Sequence, residues 1–272
     1  KDVNMIDSFH LEAHGVQAVN YNRDLEVFPV VKRIIEKITG QEAEYKSPTD
    51  MGVNRVGFCI TDDEAVREAA VQEIIRRFII AKCDYKKGRI SEEALERSEL
   101  LMKEVNAREE DRLVVTPARE YAEYKRRCDK KFVNVVVMAI EMPGGEIVTG
   151  RSSRRMVAAA AAVLNAVKKL ACIDDEKYVI APNVFRDIQD LKENVLHHDR
   201  KSLNLEEILT ALSISAETNP CAQQAAQMLG RLAGCKAHCT AILSERDEQT
   251  LRSMGIDVTC DPEYVTTNLY FS

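Results

Sequence analysis

The sequence has no apolar run long enough to cross a bilayer: the longest, Met156 to Leu164, covers nine residues against the ~20 that a spanning helix needs. Nothing near its start pairs basic residues with an apolar segment in the manner of a signal peptide. Positive charge is in short supply, with 38 Lys and Arg against 44 Asp and Glu and a formal net charge of −6. That balance excludes nucleic acid or an anionic membrane as a partner recognised by bulk charge. The eight cysteines are too few and too unevenly spaced for a disulfide scaffold, so free thiols and a reducing, cytoplasmic setting are expected. Internal repeats and low-complexity tracts are missing as well. What is present, 45% hydrophobic and 30% charged over 272 residues, is the composition of a folded protein with room for about two domains. The chain opens on Lys1-Asp2-Val3 without an initiator Met, and a piece of a longer protein is the expectation.

Hydrophobic periodicity divides the chain into three expected parts. Residues 1–60 form a small mixed α/β region in which Val27, Val30, Val31, Ile34, Ile35 and Ile38 keep helical spacing up to a stop at Gly40. Residues 61–131 form a helical subdomain. Its first helix opens on Thr61-Asp62-Asp63-Glu64, a capping box, and carries an apolar stripe through Val66, Ala70, Ile74 and Phe78. A second helix starts near Ser91 and a third at Thr116-Pro117. Residues 132–272 switch to an α/β pattern. Strands are expected at Val133 to Ile140 and Glu146 to Thr149 around the turn Pro143-Gly144-Gly145, then a helix from Ser152 to Leu170 and a strand at Tyr178 to Ile180. Helices follow at Asn183 to Asn194, Leu205 to Leu212 and Pro220 to Leu232. The chain then alternates strand Ala237 to Leu243, helix Glu245 to Met254 and strand Ile256 to Thr259, the two strands running parallel. The fold class is therefore α/β, or α+β over the whole chain.

Four strings carry a family resemblance: Asp2-Val3-Asn4-Met5-Ile6-Asp7, Val19-Asn20-Tyr21-Asn22-Arg23-Asp24, Ser47-Pro48-Thr49-Asp50-Met51-Gly52-Val53-Asn54 and Asn219-Pro220-Cys221-Ala222. Through them the chain resembles the bacterial family known as domain of unknown function 1846. Members of that family are nearly twice as long, and the resemblance implies that these residues correspond to their C-terminal portion only. It further implies a Rossmann-like domain with a glycine-rich, phosphate-loop-like segment upstream, and no such segment occurs in these residues. Where the family pattern expects glycine past a helix end, this chain has Cys172, so that corner is expected to be strained or differently built. The last domain resembles a three-layer, cytidine-deaminase-like fold. A zinc deaminase needs a His or Cys followed by Ala-Glu at one helix start and Pro-Cys-x-x-Cys at another. The corresponding places read Thr149-Gly150-Arg151-Ser152-Ser153 and Pro220-Cys221-Ala222-Gln223-Gln224, which lack two of three ligands and the general acid. No metal is expected, since catalytic zinc needs three protein ligands plus water.

Without zinc, the two helix starts remain candidates for an anion, because unpaired N–H groups and a partial positive charge suit phosphate or carboxylate. Thr149, Gly150, Ser152 and Ser153 at one start and Asn219 at the other either bind such a group or simply cap backbone donors. Cys221 either acts as a helix-end thiol nucleophile or packs as a small residue. Asp50 is a candidate catalytic carboxylate in a polar loop, with Ser47, Thr49 and Asn54 beside it and Asn22, Arg23 and Asp24 as further binding candidates. The alternative for these loops is a turn in which the side chains bond their own backbone. Cys235, His238 and Cys239 do not make a metal site, because adjacent strand residues point to opposite faces. Lys125-Arg126-Arg127 is read as a helix C-terminus.

Two functions fit. One is an enzyme acting on a nucleotide or another phosphorylated small molecule together with the N-terminal Rossmann-like domain. The other is a non-catalytic ligand-binding and oligomerisation module, the apolar stripes of residues 61–130 suiting a homo-oligomer. The cofactor is left open.

Overall fold

A computed structural model describes residues 63–128, 134–198 and 201–265, together with Lys37, Ile38 and Gly40. Gly40 has φ +67°, the left-handed conformation expected of a helix stop. The chain divides into two units, Lys1–Asp111 and Arg112–Ser272. In the first, helix α1 (Asp63–Lys86) and helix α2 (Glu92–Glu104) pack against each other. Ile75, Ile79 and Cys83, each four residues apart, lie buried along α1, and Leu101 and Met102 are buried on α2. A 3₁₀ turn, Glu109–Asp111, is held to α1 by Lys82 Nζ on Glu109 Oε1 at 2.5 Å and by Gln72 Nε2 donating to the Asp111 carbonyl at 2.9 Å.

The second unit is mixed α/β and is built on one four-stranded sheet. Strands β1 (Val137–Glu141) and β2 (Ile147–Arg151) form the expected hairpin, and β3 (Lys236–Cys239) and β4 (Asp257–Cys260) are its other members. The spatial order is β2-β1-β3-β4, with β1 antiparallel to both neighbours and β3 parallel to β4. Side-chain alternation sends β1 to two different cores. Val137 and Ala139 join Val114, Ala118 and Ala122 of the segment carrying helix α3 (Val115–Cys128), while Met138 and Ile140 face a larger cluster on the other side. Thus the helix expected near Thr116 covers a sheet face. Lys125, Arg126 and Arg127 do sit in its last turn.

The larger cluster is dominated by α4 (Ala158–Leu170), of which eight residues, five of them alanine, are buried. Beyond α4 come α5 (Pro182–Asp190), which widens into a π-turn at Leu191–Val195, then α6 (Leu205–Ala216), α7 (Pro220–Gln227) and, between β3 and β4, α8 (Glu245–Ser253). Helix α6 begins with a reciprocal capping box between Asn204 and Glu207.

Two strands are shorter than expected, β1 running Val137–Glu141 rather than Val133 to Ile140 and β3 ending at Cys239 rather than Leu243, and three further elements differ from the periodicity. Helix α4 starts at Ala158 rather than Ser152, because Val157 N donates to the Leu203 carbonyl at 3.0 Å and Leu203 N to the Arg155 carbonyl at 2.8 Å. Those bonds hold residues 155–157 extended. Tyr178 to Ile180 does not form a strand: Val179 and Ile180 are buried, but Ala181 N finds its acceptor in Ser215 Oγ at 3.0 Å, and Pro182 opens α5 immediately after. The helix expected from Pro220 to Leu232 is α7 followed by a separate 3₁₀ turn, Leu229–Leu232.

Candidate functional site

A cavity of about 460 Å³ opens between α4 and the segment from Asp175 to Gln189. That volume falls in the range of small-molecule sites. Its apolar part includes Met156, Leu164, Val179, Ile180 and Phe185. Around this lie four cations, Arg155, Lys168, Lys177 and Arg186, together with the carboxylate of Asp175; Asp174 pairs with Lys177 at 3.3 Å and Asp187 stands 3.9 Å from Arg186. In a chain with net charge −6, the four cations still outnumber the three carboxylates beside them, and the small excess of positive charge favours an anion.

The walls are fixed by hydrogen bonds from the helix side. Lys168 Nζ donates to the carbonyls of Asp175 at 2.8 Å and Lys177 at 2.9 Å, clamping the loop that closes the cavity. Asn165 Nδ2 donates to the Thr149 carbonyl at 2.9 Å, and Gln189 Nε2 reaches the Lys201 carbonyl at 3.3 Å. On the far wall Asn219 Nδ2 donates to the Tyr178 carbonyl at 2.8 Å. Two residues nominated from sequence, Thr149 and Asn219, therefore stand one hydrogen bond behind residues that line the cavity.

None of the nominated residues among those described lines this cavity. Thr149 and Gly150 belong to strand β2, not to a helix start. A Cβ on Gly150 would stand 2.1 Å from Ala162 N, so the glycine serves the close approach of β2 to α4 rather than a phosphate. Ser152 spends its backbone on the edge of β1: its N–H donates to the Val136 carbonyl at 2.7 Å, and its Oγ accepts from Val136 N at 3.0 Å. Ser153 Oγ accepts from Arg155 N and Met156 N, both at 3.2 Å, a local turn of the kind serine hydroxyls make. Asn219 caps α7 by accepting from Cys221 N at 3.0 Å, which also occupies the amide of half-buried Cys221. Asn22, Arg23, Asp24, Ser47, Thr49, Asp50 and Asn54 lie outside the described residues.

A second cavity, about 390 Å³, opens at the carboxyl ends of β3 and β4, where Thr240, Asp261 and Arg119 contribute to its wall. Behind it runs a polar chain absent from the sequence reading. Arg119 makes a two-pronged contact with Asp261, Nη2 to Oδ1 at 2.6 Å and Nε to Oδ2 at 3.2 Å. His238, completely buried, places Nε2 3.3 Å from Asp261 Oδ1, off the line of a hydrogen bond, and Nδ1 3.0 Å from Thr259 Oγ1. Burial pushes the imidazole below its ordinary pKa against the pull of Asp261. Burial alone would raise Asp261, but His238 and Arg119 together hold its carboxyl well below the usual carboxylate range. His238 and Cys239 project to opposite faces, as strand alternation requires: His238 meets Thr259 and Asp261 while Cys239 joins the α4 cluster. Among the described residues no cluster of three or more His, Cys, Asp or Glu side chains is placed to hold a metal ion, and no helix is long and apolar enough to cross a membrane.

Relatives place the chain by sequence. A UPF0371 protein of Clostridium botulinum strain Langeland is 56% identical over the whole chain, and the matched region is 54% of that protein. A UPF0371 protein of Clostridioides difficile strain 630 is 54% identical over the same span and share. The chain spans about half the length of the curated relatives it matches. The model for domain of unknown function DUF1846, N-terminal, matches residues 1–106, and that for domain of unknown function DUF1846, C-terminal, matches residues 110–270. The expectation that only the C-terminal portion is represented is thereby corrected, since the first 106 residues match the N-terminal model. With both models matched in chain order, the chain belongs to the DUF1846 family.

Proposed function

We propose that the unit from Arg112 onward binds a nucleotide or another phosphorylated small molecule in the cavity beside α4. The observation that carries this reading is the combination there of the cations Arg155, Lys168, Lys177 and Arg186 with an apolar interior in a cavity of about 460 Å³. An apolar ligand alone would not call for Arg155, Lys177 and Arg186 on the rim. Inorganic phosphate alone would not call for Leu164, Ile180 and Phe185 beneath them. A ligand with a phosphate and an apolar or ring moiety uses both. Alongside the Rossmann-like portion that the family resemblance implies, this unit would hold one side of the ligand. The sheet order, with its hairpin, following helix and parallel pair, supports reading the layout as deaminase-like without the zinc ligands.

The test is ligand-dependent thermal stability of the purified chain against a panel of nucleoside mono- and diphosphates, sugar phosphates and inorganic phosphate. Saturation at about 100 times Kd stabilises by ~2.7 kcal/mol, which a melting curve resolves. Binding should weaken at least tenfold in Arg155→Ala and Arg186→Ala, both exposed. If no organic phosphate raises the melting temperature of the chain or of a full-length relative, the proposal is overturned.

A further inference from the structure

We propose that Cys239 and Cys260 form a redox pair at the carboxyl edge of the parallel strands, closed to a disulfide by exchange with a low-molecular-weight disulfide. The two are register partners across β3 and β4, and Asp261 N donating to the Cys239 carbonyl at 2.8 Å fixes that register at the pair itself. The preceding pair, His238 and Thr259, shows that side chains of partners here meet directly: they are 3.0 Å apart on the opposite face. Alternation then places both thiols on the α4 side, where Cys239 is buried in the larger core cluster and Cys260 packs against it half-buried. Neighbouring strands run about 4.8 Å apart, inside the roughly 4.4–6.8 Å between Cα atoms that a disulfide spans.

The difference in exposure orders the steps. Cys260, the more accessible, attacks one sulfur of a small disulfide as its thiolate, forming a mixed disulfide and expelling the first small thiol. The Cys239 thiolate then attacks the Cys260 sulfur, breaking the mixed bond and expelling the second. The protein loses two thiol protons and two electrons, and the small disulfide is reduced to two thiols that carry those protons away. The bond would tie the two strand ends together one residue before Asp261, which holds Arg119 and faces His238.

Oxidised glutathione is the probe. The chain is incubated with it, quenched by alkylation and digested with trypsin without reduction. Cleavage after Lys236, Arg246 and Arg252 separates the thiols into 237–246 and 253–272, each with one cysteine. The expected product is these two peptides joined, lighter by two hydrogens than their sum and separated again by dithiothreitol. Cys239→Ser should stop the reaction at a glutathione adduct on Cys260, and Cys260→Ser should abolish the joined species. The proposal is overturned if the unsubstituted chain also stops at the adduct, or if both thiols stay reduced under conditions that modify exposed Cys172 and Cys128.

Discussion

Replacing Gly150 with alanine adds one methyl group where the molecule has least room for it. The new Cβ would lie 2.1 Å from Ala162 N, 2.5 Å from Ala161 C and 2.5 Å from Ala162 Cα. All three are backbone atoms of α4, so no flexible side chain can swing aside. Reaching an ordinary contact of 3.4 Å requires β2 and α4 to separate by about 1.3 Å. The helix packs on the sheet through Ala159, Ala162, Val163 and Ala166, each fully buried, and all of them would lose contact in that movement. Overpacking a core commonly costs about 1–3 kcal/mol, and more where the backbone must give; for Gly150→Ala we expect at least ~3 kcal/mol, a large fraction of the ~5–15 kcal/mol of a whole domain. Gly144→Ala in the β1–β2 turn is the control, because a Cβ there meets nothing within 4 Å and the expected change is below about 0.5 kcal/mol. Urea unfolding followed by circular dichroism gives both values. A Gly150→Ala midpoint equal to that of Gly144→Ala would refute the close-approach argument and return Gly150 to the role of a free loop glycine.

Three further substitutions probe local energetics. Cys172 holds φ +54° without being glycine, so Cys172→Gly should raise stability by about 1 kcal/mol in the same urea assay, relieving the left-handed strain. Asn219→Ala removes the cap of α7 and the bond to the Tyr178 carbonyl; a loss of ~1–2 kcal/mol is expected, with binding at the α4 cavity weakened as its wall loosens. Asp261→Asn gives up the two-pronged contact with Arg119, and its unfolding free energy in the urea assay should fall by about 2 kcal/mol. For pH, the sign follows from His238: its folded-state pKa lies below that of the unfolded chain, so the unfolded state binds the extra proton. Its contribution is therefore complete above about pH 6.5 and is lost as pH falls, by no more than ~1.4 kcal/mol per unit. The difference in stability between the parent chain and His238→Gln, followed from pH 7.5 to 5, should shrink with acid; a constant difference would sink the reading of a buried neutral imidazole.

Element type was largely legible where one face alone sets the pattern. The β1–β2 hairpin, the parallel β3–β4 pair and the helices around Glu92, Leu205 and Glu245 follow their periodicity. Boundaries failed where a distant partner decides them. Leu203 holds residues 155–157 extended from some forty-six positions away, and no local pattern announces it. Valine and isoleucine at 179 and 180 have strand propensity and burial but no neighbouring strand, so they pack as a loop. The hydroxyls and amide read as anion ligands at Ser152, Ser153 and Asn219 satisfy backbone groups instead, the competing role that the same chemistry always offers. The Arg119–Asp261–His238 chain joins residues more than a hundred positions apart, and only the fold brings them together.

The missing strand and the cavity are two sides of one fact. Had residues 178–180 entered the sheet, their backbone would have been satisfied by a neighbouring strand and their side chains pressed onto α4. As a loop, the segment needs other partners, and those it has come from the side: Lys168 takes the carbonyls of Asp175 and Lys177, Asn219 takes that of Tyr178, and Ser215 takes the amide of Ala181. Long side chains hold a segment at a distance that direct strand pairing would close. The space so created is bordered by α4 residues such as Ala161 and Leu164, which line it without filling it. Shortening the Lys168 clamp should therefore collapse or open the cavity while sparing the sheet. Lys168→Met keeps the stem and removes the two hydrogen bonds; organic-phosphate binding should fall in this variant with little change in its urea midpoint. An equal loss in both would mean that the loop belongs to the core, and the cavity would then be a packing gap rather than a site.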